Sequence, residues 1–280
     1  MALRINFNQA ASAAQRGLAA SQDSYSKQAE HLSSGLRINR ASDDAAGLAV
    51  SEKLKNQVRG LNQAQRNAQD SISLIQTAEG ALTETHSLLA RMRELAVQSS
   101  NDTLTASDRA NLNAEFTQLQ AEVDRIATST QFNTALLLNG SGTATALTFQ
   151  IGANNGDTLA LAIDGTQASV LNVAFNSANG VAGVAYQSSA SAMISILDTA
   201  VNVVSEDRAE LGAVQNRLES TIRSLAVASE NTSAANSRIA DADIAQSMSE
   251  MVRSQILQQA GVSVLAQANQ APSLVLQLLK

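Results

Sequence analysis

From Leu54 to Ala96 the chain returns to an apolar residue at every seventh position: Leu54, Leu61, Ala68, Ile75, Leu82, Leu89 and Ala96. A heptad spacing held this long belongs to a helix packed lengthwise on a partner, since 3.5 residues per turn keeps one seam facing it. The spacing predicts a helix over about 44–99, roughly 80 Å long at 1.5 Å per residue. Ser42 is its expected N-cap, with Asp43 and Asp44 in the first turn, where the helix dipole favours negative charge. Thr105-Ala-Ser-Asp108 has the form of a capping box and opens a second helix, about 104–128. Its Leu112, Phe116, Leu119, Val123 and Ile126 alternate at four- and three-residue spacing. A third helix, about 189–236, carries Leu197, Val204, Leu211, Leu218 and Leu225, again every seventh residue. The simplest partner for that seam is the seam of the first helix.

Between these helices the texture changes to Gly, Asn, Thr and Ser. Leu147-Thr-Phe-Gln-Ile151 and Thr158-Leu-Ala-Leu-Ala-Ile163 flank Ala153-Asn-Asn-Gly-Asp157, which predicts a β-hairpin within a region of about 140–188. A second, weaker strand pair is expected around Val170–Phe175 and Val181–Tyr186. The fold class is therefore mainly α: an elongated antiparallel helical bundle or coiled coil with a small β-hairpin region.

The two ends carry more apolar surface than a thin helical rod can cover. Leu18, Tyr25 and Leu32 form one seam near the N-terminus, and Ile244, Met248, Val252 and Ile256 another near the C-terminus. The stretch Leu274-Val-Leu276-Gln-Leu-Leu279 follows with little sequence left to cover it. Left in water, such surface is an association site; the alternative is that both ends dock on the body of the same subunit.

Composition narrows the function. Of 280 residues, 44% are hydrophobic but only 2% aromatic, so the core is built from Leu, Ile, Val, Met and Ala, which favours close helix packing. Absence of cysteine excludes disulfide frameworks, thiolate catalysis and Cys-based zinc sites. The histidines, His31 and His86, lack a second ligand at metal spacing, and Asp241 and Asp243 read as a polar break and helix cap before Ile244. No catalytic motif is found, so neither enzyme activity nor a cofactor is expected. With a net charge of −6, scattered Lys and Arg and few aromatics to stack bases, a nucleic-acid groove has little support. The N-terminus lacks the pattern of a secretory signal, and no apolar run reaches membrane-spanning length, so membrane insertion is not expected.

The stretch Leu32-Ser-Ser-Gly-Leu-Arg-Ile-Asn-Arg-Ala-Ser-Asp-Asp-Ala-Ala-Gly-Leu-Ala49 resembles the N-terminal motif of bacterial flagellins. Arg91-Met-Arg-Glu-Leu-Ala-Val-Gln98, Thr130-Gln-Phe-Asn133, Phe149-Gln-Ile-Gly-Ala-Asn-Asn-Gly-Asp157 and Ala268-Asn-Gln-Ala-Pro-Ser-Leu-Val-Leu-Gln-Leu-Leu-Lys280 are similar to further landmarks of that family, in order. Only about 165–188 lacks a counterpart. Arg40 stands where the family usually has Ser, and Thr134 where it often has Gly. The outer domains that many flagellins insert between the helical halves are missing.

The resemblance implies a structural subunit that polymerises head to tail into the extracellular flagellar filament for motility, exported unfolded by a type III apparatus without a cleaved signal peptide. It implies an inner-tube helical domain from 1–43 and 240–280 and a rod domain from 44–239. The residues expected to drive polymerisation are Leu18, Tyr25, Leu32, Ile244, Val252, Ile256, Leu274, Leu276 and Leu279. Expected partners are further copies of the chain, an export chaperone, and cap and junction proteins. By resemblance, Arg91, Leu95 and Glu115 would also meet the flagellin-sensing Toll-like receptor of vertebrates. A hook-filament junction protein of the same axis and a monomeric coiled-coil adaptor are the alternatives.

Overall fold

A computed structural model describes residues 8–140, 145–174 and 183–278. The chain is mainly α, in the order α1 (Gln9–Ser34), α2 (Ala45–Ser99), α3 (Ala106–Ser129), β1 (Gln131–Phe132), β2 (Ala135–Leu136), β3 (Thr145–Gln150), β4 (Thr158–Ile163), α4 (Gln187–Ala240) and α5 (Ile244–Leu278). It divides into two compact units, 1–58 with 230–280, and 59–229.

In the first unit α1 and α5 lie antiparallel. Asn8 at the start of α1 donates from Nδ2 to the carbonyl of Ala268 (2.8 Å), and at the far end Leu36 bridges Asp241. Asn8 caps α1, its side chain accepting from the Ala11 N–H. Gly35 ends the helix in the left-handed conformation (φ 71°), where a side chain would be strained, and its N–H returns to the His31 carbonyl. Ion pairs Lys27–Asp43 (2.9 Å) and Arg40–Glu30 (2.9 Å) fasten the connection to α2 back onto α1. A hydrogen bond from Lys27, then backbone N–H groups of Arg40 and Asn39, lower the Asp43 pKa to about 2.

The N-cap of α2 differs from the expected Ser42. Asp44 takes that role, its Oδ1 accepting from the Gly47 N–H at 2.8 Å. Asp43 instead accepts from the N–H groups of Asn39 and Arg40 (3.3 and 3.1 Å) and holds the preceding turn. The next cap matches the sequence reading: Asp243 accepts from the Gln246 N–H (3.1 Å) and starts α5. Its neighbour Asp241 accepts from the Ser237 hydroxyl (2.6 Å).

In the second unit α2 and α4 run antiparallel. Asn62 accepts from Ser229 (2.9 Å) and Arg93 donates to Asp198 (2.5 Å), with equal numbers of residues between the partners on each helix. The expected seam residues Leu61 to Ala96 on α2 and Leu197 to Leu225 on α4 are buried. Between them on α2 lies a companion column, Ala64, Ser71, Ala78, Thr85, Met92 and Ser99, equally buried, which completes a three-four alternation. Thr105 and Asp108 form the expected capping box of α3, which adds Phe116, Val123 and Ala127 to the core. At the C-terminus of α2, Arg109 donates to the carbonyls of Ser99 (2.9 Å) and Asn101 (2.8 Å), placing a cation at the negative end of the helix dipole.

β3 and β4 form the expected hairpin, and β4 turns Leu159, Leu161 and Ile163 into the core on alternate positions. The weaker strand pair does not form where it is described. Residues 168–172 are turns, with Asn172 at φ 57°, and the backbone of Ala168 is tied to Asp124 (2.8 Å) instead of to a strand. The rest of that pair lies partly outside the described residues.

Candidate assembly and recognition surfaces

The inward and outward faces of α5 are set by side-chain size. Ser247, Ser254, Gly261 and Ala268 recur every seventh residue and, with Met251, Gln258 and Leu265, face α1. The column Ser247, Ser254, Gly261 and Ala268 is small, so the larger α1 residues can settle on it. A Cβ at Gly261 would meet Leu18 Cδ1 at 3.4 Å, and the Ser254 hydroxyl donates to Ser24 Oγ at 3.2 Å. Leu18, Tyr25 and Leu32 are accordingly half-buried on the helix that faces α5 within the same chain.

Most of the large apolar residues of α5 point the other way. Ile244 is 51% exposed, Met248 45%, Val252 44%, Ile256 60%, and Val262 and Val264 56% each. Single exposed apolar side chains are ordinary, but a row of them along one helix is an association surface. Leu274 and Leu276 lie within α5, with side chains beyond those described, and Leu279 lies outside the described residues. The outward row is periodic in apolar residues and so legible in the sequence; the inward heptad column carries no such signal because it is built of Ser, Gly and Ala.

The second surface lies on the unit 59–229. Arg91 on α2 donates from Nε and Nη2 to Glu115 Oε1 on α3 (3.0 and 2.9 Å) and from Nη1 to Glu94 Oε2 (2.9 Å). Glu94 first, and then Glu115, raise the Arg91 pKa above its ordinary value. Arg91, Glu94 and Glu115 are exposed. Leu95 is placed differently: it is fully buried in the hydrophobic core and offers an outside partner no surface. The apolar neighbour that does reach solvent is Val97, 46% exposed.

One titratable group stands in the α4 seam. Asp207 occupies the position between Val204 and Leu211 and is half-buried. Withdrawal from water, followed by the negative charges of Asp164, Glu210 and Glu206, pushes its pKa up to about 6. Neither histidine has a carboxylate or second imidazole arranged around it as a ligand set, and no cluster of three or more His, Asp or Glu fit to hold a metal is present among the described residues.

Sequence comparison settles the family. The profile of the bacterial flagellin N-terminal helical region matches residues 5–143, and that of the C-terminal helical region matches 194–279. A flagellin of Halalkalibacterium halodurans is 51% identical over 276 residues, spanning 99% of both chains. The chain belongs to the bacterial flagellin family. Further relatives are a flagellin of Bacillus subtilis, 46% identical over 99% of this chain and 100% of its own, and a flagellar filament core protein of Treponema phagedenis, 46% identical over 99% of each. Among solved structures, Bacillus cereus flagellin superposes with a TM-score of 0.50 at 31% identity, covering 57% of this chain and 88% of its own. A flagellar hook-associated protein of Vibrio parahaemolyticus reaches 0.59 at 14% identity, over 71% and 100%, a likeness of fold alone. A member of the flagellin family is a structural protein of the flagellar filament and not an enzyme.

Proposed function

We propose that this flagellin polymerises head to tail into the extracellular filament through its terminal helices, with 1–43 and 240–280 as the inner-tube domain and 44–239 as the rod. Both terminal segments fall within the compact unit 1–58 with 230–280, in keeping with a paired inner domain. The observation that carries the reading is the outward row Ile244, Val252 and Ile256, exposed at 51%, 44% and 60% although α1 and α5 are already paired within the chain. Intrachain packing uses the small face of α5 and leaves the apolar face for another copy. A repeated contact between two different patches grows as a helix when its rotation does not close into a ring. Leu274, Leu276 and Leu279 extend the same chemistry, while Leu18, Tyr25 and Leu32 act by holding α1 against α5. Each Leu-sized side chain buried between subunits contributes roughly 1.5–3 kcal/mol before association entropy.

Export by the type III route without a cleaved signal peptide, with a chaperone, cap and junction proteins as further partners, belongs to the same reading. Deleting residues 271–280 is expected to abolish filaments in negative-stain electron microscopy while the helices of the unit 59–229 stay folded by circular dichroism. Normal filaments from that truncation would overturn the proposal.

The Arg91–Glu115 pair supports a second role, as a ligand of the host flagellin-sensing Toll-like receptor. A planar guanidinium held by two exposed carboxylates presents an ordered, charged recognition patch. Leu95 supports it from beneath and touches nothing outside. Loss of receptor signalling in Arg91→Ala, with helix content unchanged, is the expected outcome in a reporter-cell assay; unchanged signalling would remove this role.

A further inference from the structure

Three Asn-Gly pairs occur in the sequence: Asn139-Gly140, Asn155-Gly156 and Asn179-Gly180, the last outside the described residues. Asn-Gly is the dipeptide in which a side-chain amide is most open to attack by the following backbone nitrogen, because glycine has no Cβ to obstruct the ring closure. The structure treats the two described pairs in opposite ways.

Asn139 is engaged. Its Oδ1 accepts from Gln167 Nε2, and Gly140 packs backbone to backbone against Gly165, so close that neither position has room for a Cβ. Gly140 therefore cannot rotate its peptide plane without separating two chain segments.

Asn155 is free. It is exposed at the tip of the β3–β4 hairpin, and its side chain makes no hydrogen bond among the described residues. Gly156 has φ +92° and nothing within 4 Å of where a Cβ would stand. The surrounding backbone is pinned: the Asn154 carbonyl accepts from Gln150 Nε2 (2.7 Å) and the Asp157 N–H (3.3 Å), and the Gly156 carbonyl accepts from Thr158 (2.8 Å). The Gly156 N–H is not used by any of these bonds. The reactive amide and its nucleophile are thus the unoccupied groups of an otherwise tied turn.

We propose that Asn155 is a site of spontaneous covalent modification, converting through a cyclic imide to aspartate and isoaspartate, whereas Asn139 is protected by the fold. Hydroxide removes the Gly156 amide proton, and the nitrogen attacks the Asn155 side-chain carbonyl carbon. The C–N bond to the side-chain amide breaks, and ammonia leaves with a proton from solvent. Water then opens the ring at either carbonyl. One opening yields aspartate; the other routes the main chain through the side chain as isoaspartate. No oxidant, cofactor or second protein is needed. The product adds a carboxylate two residues from Asp157, whose own carboxylate accepts from the Asn154 N–H (3.1 Å), so the modification places like charge on a turn held by an anion.

The test is peptide mapping of the full-length chain during incubation at mildly alkaline pH, using chymotryptic cleavage at Phe149 and Leu159 to isolate the turn. The amide-to-acid mass change and enzymatic methylation of isoaspartate are the readouts. Asn155 is expected to convert about tenfold or more faster than Asn139, the factor that freeing one packed residue represents. In strong denaturant the two sites should converge. Asn155→Gln should remove the signal at this turn and leave the melting curve unchanged. Equal rates at Asn139 and Asn155 in the folded chain, or an Asn155 that converts only in denaturant, would overturn the proposal.

Discussion

The Ser254 hydroxyl donates to the hydroxyl of Ser24 at 3.2 Å, and Val252 and Ile256, two positions to either side on the same helix, are exposed. On a helix, residues two positions away point well around the axis, so seating a small residue on α1 decides which residues are left outside.

Opposite outcomes are expected on the two faces. Val252→Asp or Ile256→Asp should abolish sedimentable filaments while changing the melting free energy by about 0.5 kcal/mol or less, as for exposed sites. Ser254→Leu should destabilise the α1–α5 pair by about 1–3 kcal/mol, because the seat on α1 has no room for it. Sedimentation and thermal melting of the three variants measure both effects.

A left-handed threonine holds the β1–β2 turn. Asn133 and Thr134 have φ of 47° and 67°, the two-residue hairpin geometry that favours Asn followed by Gly. A β-branched residue costs about 1–2 kcal/mol there. Thr134→Gly should therefore raise stability by roughly 0.5–1 kcal/mol, the gain being trimmed by the greater freedom of glycine in the unfolded chain, and chemical denaturation would register it.

The capping residue of α2 can be assigned by two substitutions. Asp44→Ala should cost about 1 kcal/mol, since it strips the acceptor from the Gly47 N–H, whereas Ser42→Ala should leave stability within about 0.5 kcal/mol. A larger loss at Ser42 than at Asp44, measured by urea melting, would reverse the assignment.

Core and surface roles of Leu95 and Arg91 separate in the same manner. Leu95→Ala should lower stability by about 2–5 kcal/mol, as a fully buried leucine does, and any loss of signalling should track unfolding. Arg91→Ala removes only solvent-exposed ion pairs, which water screens, and should act on signalling alone. Melting and reporter assays on both proteins distinguish them.

Asp207 makes stability fall as pH rises. Its folded pKa, about 6, lies above the ordinary 3.8, so the folded chain binds the extra proton between those values. The contribution is fully present below about pH 4 and lost as the pH passes 6. Half-exposure discounts it to about 1 kcal/mol. Asp207→Asn should flatten that part of the stability curve in low-salt urea melts; an unchanged pH dependence would show that the group titrates normally.

Repetition made much of this chain legible. Heptads on α2 and α4, the capping box of α3 and the alternating β4 are periodic, and periodicity in hydrophobicity is a local record of which face will be buried. The motif from Leu32 to Ala49 and the C-terminal landmarks carried the family. The inward column of α5 was hidden because Ser247, Ser254 and Gly261 face inward for their small size, a property visible only against Leu18 and Ser24 of another helix. Asp44 rather than Ser42 caps α2 because Asp43 is drawn to Lys27 and to the backbone of Asn39 and Arg40, a contest decided across the fold. Leu95 shows the same division: sequence alone named it by resemblance, and packing put it inside. Which residues are apolar, and at what spacing, is written in the chain; which face of a helix meets its own partner helix and which is left exposed depends on shape complementarity between distant segments, and only the tertiary structure holds both sides of that contact.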